Sequence, residues 1–176
     1  DKINEFNIEK VNIINWVKLK IFPDGGIARL RLWGNVHKNW KEENKNHLLE
    51  LSALKNCGKI ISYNNAHYGD VTALLSNGRG KNMGDGWETR RRREPGNDWI
   101  IIELGKNGYL EKIEVDTAFF KGNFPESCSL DAANIINEMK DTKLIVWETI
   151  IPQTLLKADS IHEINIDDKF KEKKYS

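Results

Sequence analysis

The sequence predicts an all-β protein, an antiparallel β-sandwich. Three observations point there: seven or eight short segments alternate apolar with polar residues, Gly, Pro, Asn and Asp cluster between them, and helical periodicity is scarce. With 176 residues, 39% of them hydrophobic and 30% charged, the chain has the size of one ordinary domain with a real core.

In chain order, Val17, Leu19 and Ile21 alternate with Lys18 and Lys20. Pro23-Asp24-Gly25-Gly26 then supplies turn chemistry, and Ala28, Leu30 and Leu32 alternate with Arg29 and Arg31. This pattern predicts a β-hairpin over 17–33 with one apolar face. Asn35 to Asn46 is rich in Lys, Glu and Asn and reads as the body of a linker over 35–50. His47 to Asn56 has the leucine spacing of a short helix, Lys59 to Tyr63 reads as a strand, and Asp70 caps a turn or two of helix over 71–75. Trp99 to Leu104 is an apolar run short enough for a buried strand. Further strands are expected at Tyr109–Thr117, Cys128–Ala132, Leu144–Trp147 and His162–Ile166. The last residues, 171–176, read as a solvated basic tail.

Composition excludes several classes of partner. A net charge of +1 gives no global attraction for nucleic acid or an anionic membrane, and no apolar run approaches the ~20 residues of a membrane span. Two cysteines, Cys57 and Cys128, are a poor disulfide framework in a chain this long, so free thiols and a cytoplasmic location are expected. Metal-site spacings such as Cys-x-x-Cys, His-x-His and His-Glu-x-x-His do not occur, so a divalent ion is not indicated by spacing. His67, Asp85, Glu88 and Asp116 could supply one only by converging in space.

Chemistry concentrates between Ser76 and Asp98. Here five glycines, the carboxylates Asp85, Glu88 and Glu94, and the cations Arg79, Lys81 and Arg90 to Arg93 surround Trp87. Glycine at that density suits backbone that takes positive φ or approaches a neighbour closely. Arginines interleaved with carboxylates suit a small substrate that is itself doubly polar.

Five blocks in consistent order resemble allantoicase, the ureide-hydrolysing enzyme of purine catabolism. They are Phe-Pro-Asp-Gly-Gly-Ile-Ala-Arg-Leu-Arg at 22–31, Asn-Asn-Ala-His-Tyr-Gly at 64–69, Met-Gly-Asp-Gly-Trp-Glu-Thr-Arg-Arg at 83–91, Gly-Asn-Asp-Trp-Ile-Ile-Ile-Glu-Leu-Gly at 96–105, and Asp-Thr-Ala-Phe-Phe-Lys-Gly-Asn-Phe-Pro at 116–125. The resemblance implies a jelly roll of the galactose-binding type. It also implies hydrolysis of allantoate, a ureide, to ureidoglycolate and urea, a step of allantoin degradation. It places Asp85, Glu88, Asp116 and His67 among the catalytic residues and Arg90, Arg91 and Asn123 against the substrate; Arg79 and Trp87 of the same loop are added as substrate-binding residues on their chemistry. Glu88 as acid and Arg90 as carboxylate clamp follow from their chemistry. Each has a structural alternative: Asp85 may bond its own turn, Trp87 may pack, Asp116 may pair with an arginine, and His67 may be a fixed structural histidine. Asn15-Trp16 stands where the family repeat usually carries Thr-His, and Phe119 where some repeats carry a histidine.

Allantoicases contain two such repeats. Asp1, Ile3, Glu5, Asn7 and Ile8 recur as Asp159, Ile161, Glu163, Asn165 and Ile166, so the chain reads as one period in shifted register. On that reading 1–34 is the closing hairpin of a preceding repeat that completes the sandwich, within one chain or by strand exchange in a homo-oligomer, and 51–170 is the repeat itself. The alternative function class is a non-catalytic module that binds a carbohydrate or another ligand on the same sandwich.

Overall fold

The computed structural model describes residues 6, 13, 17–25, 27, 30–32, 34, 37–40, 48–135, 145–171 and 173–175. The chain divides into two compact units, Asp1–Glu42 and Glu43–Ser176. In the first, the described residues of 17–33 show no strand, and Gly26, Ala28, Arg29 and Trp33 of the expected hairpin lie outside the described residues. Phe22-Pro23 is a cis peptide and Gly25 has φ 136°.

Among its described residues the second unit holds eight strands and one short α-helix. The strands are β1 (Lys59–Tyr63), β2 (Ile100–Glu103), β3 (Gly108–Tyr109), β4 (Lys112–Asp116), β5 (Ser127–Ala132), β6 (Glu148–Leu155), β7 (Ile161–Asn165) and β8 (Lys174–Tyr175), with α1 (Asp168–Lys171) between the last two. Every pairing is antiparallel: β1 with β2, β3 with β8, β4 with β7 and β5 with β6. The last three pairs are nested, β5–β6 inside β4–β7 and that inside β3–β8. The protein is therefore all-β. Among the described residues no helix is long and apolar enough to cross a membrane.

The register explains the alternation in the sequence. Ile113 and Val115 of β4 lie opposite Ile164 and His162 of β7, while Lys112, Glu114 and Asp116 take the exposed positions. His162 stitches this pair: Nδ1 donates to the Val115 carbonyl at 3.0 Å and Nε2 accepts the Lys157 N–H at 2.8 Å. The core gathers Ile150, Ile166, Phe170 and Tyr175, with Leu104, Leu110, Ile113 and Ala132 packed against them.

Three elements differ from the sequence expectation. The helix over 47–56 reduces, among described residues, to a 3₁₀ turn at Leu54–Asn56 whose C-terminal Cys57 has φ 71°. The strand expected at 144–147 lies partly outside the described residues, and its described part is not strand; β6 begins at Glu148 instead. The described part of the tail is mixed: Tyr175 is buried while Lys173 and Lys174 are solvated. Phe170 and Tyr175 are buried, because the apolar residues interrupting the lysines point inward while Lys169, Lys173 and Lys174 stay out. Both cysteines are free. Asp70 caps the 3₁₀ helix Val71–Leu75 as its sequence implies, accepting the Thr72 N–H at 2.9 Å.

Ile150 is only 4% exposed at the centre of this core. Ile150→Ala is expected to cost about 2–5 kcal/mol of stability, read as a lower midpoint in urea with an unchanged slope. A loss below ~1 kcal/mol would show that the core is not packed around this side chain.

Candidate active site

Two blocks distant in sequence zip together through backbone. His67 N–H donates to the Glu88 carbonyl at 2.8 Å, and Tyr68 and Glu88 form an isolated antiparallel bridge. The Trp87 indole N–H donates to the Asn65 carbonyl at 2.8 Å, and Asn65 Oδ1 accepts the Arg90 N–H at 3.4 Å. Gly69 makes this closeness possible: its φ is +70°, and a Cβ there would sit 2.8 Å from the Gly84 carbonyl oxygen. Gly86 does the same on the other side, since a Cβ would stand 3.0 Å from the Phe120 ring.

A third block arrives from the end of β4. Thr117, 3% exposed, donates from Oγ1 to the carbonyls of Lys157 (2.6 Å) and Ser160 (3.0 Å), and its N–H donates to the Ser160 carbonyl at 2.9 Å. Asp159 Oδ1 accepts the Phe119 N–H at 2.7 Å, with both residues at positive φ, 50° and 69°. This clamp carries the segment that ends in Asn123. There Asn123 Nδ2 donates to Glu88 Oε1 at 2.7 Å.

Two side-chain pairs result on blocks joined through backbone, Glu88 with Asn123 and Arg90 with His67. Arg90 Nε donates to His67 Nδ1 at 3.0 Å, which requires the neutral imidazole with its proton on Nε2. The His67 and Tyr68 rings meet edge to face at 4.1 Å between centroids. Glu88 is half-buried, whereas His67 and Arg90 are exposed.

The other residues selected from sequence take different positions. Asp85 Oδ2 accepts the Lys81 N–H at 2.8 Å and so closes its own loop. Asp116 caps the turn after β4 by accepting the Ala118 N–H at 2.8 Å, and Arg79 approaches its other oxygen at 3.7 Å. Trp87 is half-buried and spends its indole N–H on backbone. Arg91 lines a shallow hollow of about 250 Å³ with Asn65, Arg90, Arg92, Arg93 and Glu94. A larger hollow of about 580 Å³, lined in part by Val146, Glu148 and Tyr175, contains none of the selected residues. His67, Asp85, Glu88 and Asp116 do not converge: among the described residues no three His, Cys, Asp or Glu side chains gather as metal ligands would.

Sequence reasoning missed the supports. Asn64 accepts the Trp99 N–H at 2.8 Å and donates to Asp98 Oδ1 at 3.0 Å; Arg92 donates to the same oxygen at 2.7 Å. Burial alone would raise the Asp98 carboxyl, but hydrogen bonds from Arg92, Thr89 and Asn64 and the Arg92 charge together outweigh it and hold the group below its ordinary value. Thr117 closes an expected strand and lies in a family block, and Asp159 opens the repeated segment, but neither placement signals a clamp between 117 and 157–160. Asn64 and Asn65 were quoted in a family block, but their role depends on partners more than twenty residues away.

The chain matches the family model described as the allantoicase repeat over residues 1–37 and 49–176. It is 47% identical over 162 residues to a probable allantoicase of Acinetobacter baumannii, covering 90% of this chain and 47% of that protein. To probable allantoicase 2 of Burkholderia mallei it is 44% identical over 149 residues, covering 83% of this chain and 44% of the relative. The crystal structure of allantoicase from Saccharomyces cerevisiae superposes with a TM-score of 0.63 at 35% identity, over 73% of this chain and 37% of that one. The chain thus spans about half the length of the curated relatives it matches.

The lowered Asp98 carboxyl stabilises the fold above the ordinary carboxylate range, and that contribution is lost as pH falls through the lowered value. Asp98→Asn should therefore be less stable than wild type by about 1–2 kcal/mol at neutral pH, with the gap closing below pH ~4. Paired urea melts at pH 7 and pH 3 check this; a gap of constant size would mean the carboxylate is not held ionised by Arg92. The nested all-β fold, the zipped blocks and the sequence matches have one source: the chain belongs to the allantoicase family.

Proposed function

We propose that this chain carries an allantoicase-type site that hydrolyses allantoate to ureidoglycolate and urea. The observation that carries the reading is the Glu88 carboxylate, held by Asn123, on a strand-like segment whose backbone is bonded to His67, the partner of Arg90. Allantoate presents one carboxylate and two ureido groups on a single carbon. Arg90, with Nε engaged by His67, keeps the terminal nitrogens of its guanidinium for the substrate carboxylate.

Glu88 has one oxygen occupied by the Asn123 amide and Oε2 left to exchange a proton. It takes a proton from water as the water oxygen bonds to the central carbon, and returns that proton to the ureido nitrogen as the C–N bond breaks. Urea leaves, and the carbon keeps the hydroxyl of ureidoglycolate. His67 does not act as base through Nδ1, which is spent on Arg90; it positions the guanidinium and offers an Nε2–H to a ureido carbonyl. Asp85 and Asp116 shape the two loops, and Arg79, Arg91 and Trp87 complete the wall.

The nested strand order supports the finer fold reading of a jelly roll of the galactose-binding type, since a long antiparallel hairpin folded over on itself pairs strands concentrically. The separate match of the repeat model to 1–37 and 49–176 supports reading residues 1–34 as the end of one repeat and 51–170 as the next. A cytoplasmic enzyme, monomeric or assembled by strand exchange, accords with its small-molecule substrate.

Incubation with allantoate should release urea, and Glu88→Gln should lower the rate about 100- to 10,000-fold while circular dichroism and melting stay as in wild type. Retained activity in that variant, or its unfolding, would refute the assignment. His67→Gln should raise KM more than it lowers kcat, because the side chain orients a binding group.

A further inference from the structure

We propose that the hollow walled by Arg90 to Arg93 is a binding site for a compact dianion; it adjoins the proposed Glu88 site, shares Arg90 and Arg91 with it, and adds Arg92 and Arg93. Four consecutive arginines, Asn65 and Glu94 line this space of about 250 Å³, the size of a phosphate or a short dicarboxylate with its remaining waters. The charges do not balance within the protein. Among the described residues Arg92 alone of the four pairs with a carboxylate, Asp98 at 2.7 Å, while Arg90 bonds a neutral histidine. Arg91 and Arg93 make no ion pair there, and Glu94 supplies the single remaining negative charge at the wall. Four guanidinium groups against Asp98 and Glu94 leave a local charge of +2, in a chain whose total is +1.

The segment is also anchored. The Arg90 N–H is held by Asn65 Oδ1, its side chain by His67, and the Arg92 side chain by Asp98, which is fixed in turn by Asn64. Like charges gathered on an anchored backbone repel one another, and an oxyanion that accepts two forked guanidinium groups removes that repulsion. A monocarboxylate cancels half the excess; a dianion cancels it all.

The proposal goes beyond ureide hydrolysis, and its test separates the two. Titration calorimetry at low ionic strength with inorganic phosphate, malonate and acetate, against chloride as background, measures the site on the full chain. Phosphate and malonate should each saturate at one per chain, with acetate at least tenfold weaker and all binding weakened by added salt. Arg93→Gln should lose tenfold or more in phosphate affinity, Arg93→Lys should recover part of it, and Glu88→Gln should bind phosphate as wild type does. Absence of saturable binding, equal affinity for acetate and phosphate, or an Arg93→Gln variant that binds as wild type would overturn the proposal. Loss of phosphate binding in Glu88→Gln would overturn it too, by showing that the anion occupies the hydrolytic site.

Discussion

The Thr117 hydroxyl is the constraint on which the rest of the site depends. One small buried side chain donates to two carbonyls of the 157–160 turn and accepts the Ser160 N–H at 3.1 Å, so the exit of β4 is welded to the entry of β7. Everything downstream inherits its direction: Phe119 at positive φ on Asp159, Phe120 against Gly86, and Asn123 on Glu88. An alanine there would leave the Lys157 carbonyl without this donor, a loss larger than the net worth of the bond itself, while the Ser160 carbonyl would keep the backbone N–H of residue 117.

Against this rigid frame the glycine-rich loop is held by contacts that no side chain could replace. At Gly69 both the backbone angle and the missing Cβ matter; at Gly86 the missing Cβ leaves room for an aromatic ring. Loops of this kind contribute little to the core and can therefore be shaped for chemistry. The carboxylates divide accordingly. Asp85 and Asp116 serve backbone N–H groups, which are local partners, while Glu88 reaches across to Asn123 from another block.

That division shows what could be read from the sequence. Strands with clean alternation, such as Lys59–Tyr63 and Lys112–Asp116, declare themselves because one face is apolar. β6 did not, because Pro152 and Gln153 interrupt its alternation, and β8 did not, because two residues among lysines resemble a tail. That His67, Glu88, Arg90 and Asn123 are candidates was legible from the family blocks. Their partners were not, because the tautomer of His67 and the Asp98 network are set by contacts between segments far apart in the chain.

The nesting of strand pairs also sets an order in time. Closing β3 on β8 directly means closing the 64 residues 110–173, against the 15 residues 133–147 between β5 and β6, a difference of about 1.3 kcal/mol in closure entropy. Once the inner pair has formed, each outer pair has only short connections left to close, so the chain assembles from the middle outward. During synthesis β3 leaves the ribosome well ahead of its partner and waits unpaired. Tyr175 of β8 emerges after the other members of this cluster and adds the wall around Ile150 and Ile166.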